Sequence, residues 1–221
     1  MKKQFLLLST IVLSTLAMAQ TTPAFGIKAG VTSSTMKGEA VNSLNGLIDY
    51  TNDAITSHSR TGFFAGANVS IPVSEAISVE PGVYYAQKGY ELRGELNLKN
   101  AEFIGANAKA QLQSHYIDIP VVLKANVGGL QVFAGPQVSY LAKADLRTTA
   151  GVLGFNVFNR TMDATEQLNR WDAGITGGIG YQFNNGFNIN ASYDHGLSKA
   201  DANKNFEAYN RAFKVGVGFQ F

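Results

Sequence analysis

The chain has no cysteine in 221 residues, which excludes disulfide stapling, thiolate metal sites and a lipid-modified N-terminal Cys. Charge is also scarce. Asp, Glu, Lys and Arg make up 15% of the residues, against about 25% in soluble domains. No long apolar run exists beyond the N-terminus, and no segment there carries a helical period. With 23 glycines, above the ordinary share of about 7%, the composition points away from a soluble surface.

The N-terminus, MKKQFLLLSTIVLSTLAMAQ, places Lys2 and Lys3 before an apolar run from Phe5 to Leu16 and then Ala17-Met18-Ala19. That order is a secretory signal peptide, 1–19. The run falls short of the roughly 20 apolar residues of a membrane helix. Its removal takes two lysines and no acid, leaving 20–221 with equal numbers of basic and acidic residues. A nucleic-acid partner, which calls for excess positive charge, is excluded.

What is present is alternation. RAFKVGVGFQF at the C-terminus sets Phe213, Val215, Val217, Phe219 and Phe221 against Lys214, Gly216, Gly218 and Gln220. A period of two is a β-strand signal. Eight such segments follow one another, starting near Phe25, Thr61, Ile77, His115, Leu130, Trp171, Phe187 and Arg211. The fourth, HYIDIPVVLKANV, opposes Ile117, Ile119, Val121 and Leu123 to Asp118, Lys124 and Asn126.

The connections alternate in length. Residues 74–76, 128–129 and 184–186 are short, and Gly128-Gly129 and Asn185-Gly186 supply the positive φ of tight hairpins. Residues 33–60, 94–113, 144–170 and 198–208 are long. Strands of about 12 residues tilted by about 40° span the ~25 Å apolar band of a membrane. Aromatics gather at both ends: Tyr181, Phe183, Phe187 and Phe221 near the short turns, Tyr85, Tyr140, Trp171, Tyr193 and Phe213 near the loops.

The parity also says which face meets lipid. Were the apolar parity inside, Gly66, Gly135, Gly174, Gly178, Gly216 and Gly218 would form a water-facing surface nearly bare of side chains. With the polar parity inside, the same glycines leave room for long charged side chains in a narrow eight-stranded lumen. The expected fold is all-β, an eight-stranded antiparallel up-and-down transmembrane β-barrel with short periplasmic turns and long extracellular loops. Pro81, Pro120 and Pro136 fall inside strands, where bulges are expected.

The runs SVEPGVYYAQKGYELRG, HYIDIPVVLKANVGGLQVFAGPQVSYLAKAD and WDAGITGGIGYQF, with SYDHGLSKA and the closing NRAFKVGVGFQF, resemble the PorT-type outer-membrane β-barrel family of Bacteroidota-like bacteria. The markers are Glu80-Pro81 before Lys88-Gly89, Tyr116-x-x-Ile119-Pro120 before Leu123-Lys124, Gly135-Pro136 before Tyr140-Leu141, Asp172-x-Gly174 and Asn210-Arg211. Gly82-Val83 replaces the family's usual Glu-Leu, so a role tied to that carboxylate does not carry over. The resemblance implies fold and outer-membrane location. Its members range from porin-like proteins to a component associated with protein secretion.

The candidate site is the lumen, with Lys28, Glu80, Lys88, Asp118, Lys124, Asp172, Asp194, Arg211 and Lys214 on the polar parity. Near-equal numbers of opposite charges favour mutual pairing and a plugged lumen, because an unpaired buried charge costs several kcal/mol. The rival reading is a charged lining that selects small solutes. His58, His115 and His195 lack metal-ligand spacing, and no cofactor is expected. His195 and Ser198 stand close in sequence but on opposite parities, so a nucleophile and base are not assembled and an enzyme is not expected. The expected partners are outer-membrane lipid, the barrel-assembly machinery through Phe219 and Phe221, and an extracellular or secretion-system protein reached through the loops.

Overall fold

A computed structural model describes residues 22–38, 55–97, 105–152, 155–201 and 207–221. The segment read as a signal peptide lies outside them. The described residues form nine strands: β1 Ala24–Lys37, β2 Ile55–Pro72, β3 Ile77–Asn97, β4 Gly105–Val127, β5 Leu130–Val152, β6 Phe155–Asp163, β7 Trp171–Gln182, β8 Phe187–Gly196 and β9 Tyr209–Gln220. All pairings are antiparallel, and eight of the strands close a ring. The first strand meets the last, from Gly26 opposite Gln220 to Lys37 opposite Tyr209. Only β6 stands outside the ring, paired to the upper part of β5.

The alternation fixes this closure. Phe25, Ile27 and Val31 of β1 are exposed on the outside, while Gly26 and Thr32 are buried within. In β9 Val215, Val217 and Phe219 face outward and Lys214 is buried. Glycine admits one large ring to the narrow interior. Phe64 lies opposite Gly30, which is opposite Gly216. A Cβ on Gly30 would lie 2.8 Å from Phe64 Cε1, and one on Gly216 2.6 Å from Phe64 Cζ. The ring covers backbone that two bare positions leave open.

The expected bulges at the prolines are absent. The ladder of β2 and β3 skips the positions around Pro81, that of β3 and β4 those around Pro120, and that of β4 and β5 those around Pro136. In each case the register on the far side is unchanged. A missing N–H removes ladder bonds but adds no residue, so it interrupts pairing without shifting it. Register shifts lie elsewhere, between Ser59 and Phe64 in β2, at His115/Tyr116 in β4 and at Ala150/Gly151 in β5.

The long connections are also shorter than the alternation implied. Much of 33–60, 94–113 and 144–170 is strand, so β2 to β5 rise beyond the ring and β6 adds a fifth strand to a tall wall on one side of the mouth. Ten residues of β4, Gly105 to Ser114, precede His115, roughly 33 Å of strand. The apolar signal fades there because neither face meets lipid, while the backbone ladder continues. Gly128 and Gly129 turn the β4–β5 hairpin at φ 59° and 89°, as Gly-Gly chemistry demands.

Candidate functional site in the lumen

The inward parity delivers four lysines and four acids to the interior, and they sort into layers. Near the short turns, Glu80 bridges Lys28 and Lys124. Above them Asp118, fully buried, accepts Lys88 at 2.7 Å and Ser139 at 2.6 Å on one oxygen and Lys214 at 2.8 Å on the other. Lys214 also meets Asp194 at 2.6 Å, and Lys88 lies 3.7 Å from the same carboxylate. Thr176 and Gln137 complete the donors to Asp194 at 2.8 and 3.3 Å. A closed loop of two lysines and two aspartates thus crosses the lumen, tying β3, β4, β8 and β9 together.

Asp172 differs. Asn210 donates to one of its oxygens at 2.8 Å, and the other has no hydrogen-bond partner. Its side chain borders a cavity of about 10 Å³ shared with Lys88, Ser139 and Asn210. A second cavity, about 60 Å³, lies between the two charge layers and is bounded by Lys28, Glu80, Tyr84, Gln137, Asp194 and Lys214. Each has room for water at most. Aromatic rings back three of the lysines, with Lys88 5.0 Å from the Tyr116 centroid, Lys214 5.7 Å from Phe64 and Lys28 5.8 Å from Phe133.

Over the charges sits an apolar layer. Tyr116, Leu141 and Ala144 are buried together, and Leu112, Ala164 and Leu168 pack against them. The 3-10 turn Thr165–Gln167 is pinned into place by Thr165, whose hydroxyl accepts the Ala144 N–H at 3.0 Å. The layer begins where Ala142 of β5 stands as an extra residue between the pairs Tyr116–Leu141 and His115–Lys143, so that Leu141, on the inward parity of Gln137 and Ser139, is followed inside by Ala144.

Eight of the nine expected lumen residues face the interior. Arg211 does not. It stands on the outward parity of β9, half-buried, donating to the Gly196 carbonyl at 2.6 Å and lying over the Tyr209 ring. Its neighbour Asn210 is the inward residue, linking Asp172 to the Tyr116 hydroxyl at 3.2 Å. Tyr116, Gln137, Ser139, Thr176 and Asn210 were missed as members of the network. All share the parity of the charges, which is the signal that could have found them.

His195 faces outward, and the Ser198 hydroxyl accepts the Ala173 N–H at 2.9 Å. His115 points outward too, 2.5 Å from the Tyr85 hydroxyl. Outside, two aromatic belts form, with Tyr140 5.0 Å from Trp171 at the mouth and Tyr181, Phe183 and Phe187 in contact near the short turns. The Phe219 and Phe221 rings meet edge to face with centroids 5.3 Å apart, and the Phe221 N–H is tied to the Phe25 carbonyl at 2.8 Å.

A family model for the outer membrane protein beta-barrel domain matches residues 18–202. The chain belongs to that family. It is an integral protein of the outer membrane. Solved structures similar to it include Neisserial surface protein A, 11% identical over 91% of this chain and 100% of that one, with a TM-score of 0.49. The attachment invasion locus protein Ail of Yersinia pestis is 13% identical over 91% and 100%, with a TM-score of 0.43. OprG of Pseudomonas aeruginosa is 11% identical over 92% and 98%, with a TM-score of 0.37. A search of curated proteins gives no match.

Proposed function

We propose that the protein is a non-enzymatic, non-conducting outer-membrane barrel whose lumen is a structural strut and whose extracellular sheet makes the contacts that matter. The loop of Lys88, Asp118, Lys214 and Asp194 carries this reading, because it spans the interior from wall to wall. Desolvated charges so arranged are held by one another, and removing one leaves its partners uncompensated. The apolar layer of Tyr116, Leu141 and Leu168 above them supports the same conclusion. A solute pore would need both layers to part.

Proteoliposome swelling tests the proposal. Vesicles carrying the refolded barrel should swell in small sugars and amino acids no faster than empty vesicles. Solute-dependent swelling would make the protein a small porin. A second reading, an accessory of protein secretion, draws on the PorT-type markers from Glu80-Pro81 to Asn210-Arg211. It expects exported cargo to accumulate in the periplasm of a deletion strain. Assembly of the barrel is proposed to be signalled by Phe219 and Phe221 at the end of β9.

A further inference from the structure

The wall above the mouth has an open end. Among the described residues β6 is paired on one side only, with β5, and its other backbone edge has no strand beside it. An unpaired edge presents a row of N–H and C=O groups ready to accept another strand. Side chains of β6 from Val157 to Asp163 are exposed. Natural edges are usually blunted by proline, charged side chains, bulges or a covering segment; β6 has no proline, its irregularity at Val157 lies at its upper end, and its charges, Arg160 and Asp163, leave the stretch around Met162 open to pairing.

Two rows of side chains run across the wall and stop at this edge. On one face Tyr90 lies opposite Leu112, Leu112 opposite Leu146 and Leu146 opposite Met162. The row is apolar throughout, and its last member is 49% exposed. On the other face Gln113 lies opposite Asp145 and Asp145 opposite Asp163. Like charges directly opposite are unfavourable. Lys143 neutralises Asp145 at 2.9 Å, whereas Asp163 makes no ion pair among the described residues. Hydrogen bonding from Thr165 holds the Asp163 carboxyl below its ordinary range, so the charge persists at neutral pH.

We propose that the edge of β6 is a docking site for an extended segment of another protein, which adds as a further strand with an apolar residue beside Met162 and a basic residue beside Asp163. These are neighbouring positions on opposite faces of one strand, so the ligand is an alternating apolar–polar segment with a Lys or Arg in its polar set. Main-chain hydrogen bonds would supply affinity and the two side-chain positions selectivity, as in other strand-addition complexes. A second copy in the same membrane does not fit. Two upright barrels related by an axis normal to the membrane bring their rising strands together in parallel, opposing each copy's apolar face to the other's polar one. This inference rests on the reading of the extracellular sheet as the contacting surface, but its failure would leave the swelling result untouched.

The test uses the full chain refolded in nanodiscs and two nine-residue synthetic peptides. One alternates valine and threonine with a single lysine among the threonines; the other has the same composition with its valines in one block. Hydrogen exchange of the amides from Phe158 to Asp163 should slow about tenfold or more with the alternating peptide and not with the blocked one. Asp163→Lys should weaken that peptide about two- to fivefold and favour its glutamate counterpart, and Met162→Asp should abolish protection while the barrel stays heat-modifiable on gels. Equal protection by both peptides, or none by either, would overturn the proposal. So would amides already slow without peptide, since the edge would then be covered by the chain itself.

Discussion

Asp118 in the ring and Glu91 in the wall are both buried carboxylates held by two cations, and they differ in where those cations stand. Asp118 is sealed from solvent together with Lys88 and Lys214. Glu91 is gripped by Arg93 at 2.5 Å and Lys109 at 2.8 Å, but those side chains are 51% and 40% exposed. The first cluster fastens strands far apart in sequence across the lumen. The second decorates one sheet in contact with water. The same ion pairs are therefore a strut in one place and a trim in the other, and the edges follow the same division: the ring has none, because unpaired backbone is intolerable at membrane depth, while the wall keeps one at β6.

Mutations separate the two regions. Asp118→Ala should lower the stability of the refolded barrel by about 3–5 kcal/mol, read from urea midpoints, because two buried lysines lose a shared partner. A midpoint equal to wild type would mean that water already fills the lumen. Leu141→Ala, which hollows the apolar layer, should cost about 2–4 kcal/mol; a negligible loss would show that this layer is loosely packed.

Asp172→Asn should change stability by less than about 1 kcal/mol, since one carboxylate oxygen has no hydrogen-bond partner to lose. A loss as large as that of Asp118 would place Asp172 inside the network. Glu91→Gln should have the smallest effect, under about 1 kcal/mol, and it should shrink further in high salt. Burial by itself would raise the Glu91 carboxyl, but the hydrogen bonds and charges of Lys109 and Arg93 override it and hold it below its ordinary range. A depressed carboxylate contributes stability that is present above its unfolded value and lost as pH falls through its folded one. Protection factors of the wall amides around Glu91, corrected for the intrinsic exchange rate, should therefore fall as pH drops below the ordinary carboxylate range, while a Glu91→Gln wall shows no such step.

The ring was legible because each of its strands divides lipid from lumen, and that contrast writes a period of two. Val31 and Lys214 could be assigned faces from parity alone. The wall was not, because Gln113, Asp145 and Thr161 meet water on one side while small or mixed residues such as Ala110 and Thr148 face the other. β6 therefore read as loop. Arg211 was misplaced by trusting its charge over its parity, which matches Phe213. The prolines misled in a different way, since loss of a donor looks in sequence like a place to insert a residue. The partnership of Asp118 with Lys214, 96 residues apart, depends on ring closure and on side chains reaching across the lumen, neither of which a linear pattern encodes.

The central claim is that the lumen is shut by its own charges, and single-channel recording in planar bilayers tests it most directly. Refolded wild-type protein, verified as a barrel by heat-modifiable migration, should give no discrete openings. Steady openings in the wild type, with a conductance altered by Lys88→Ala or Lys214→Ala, would show that the charges line a pore and contradict the account.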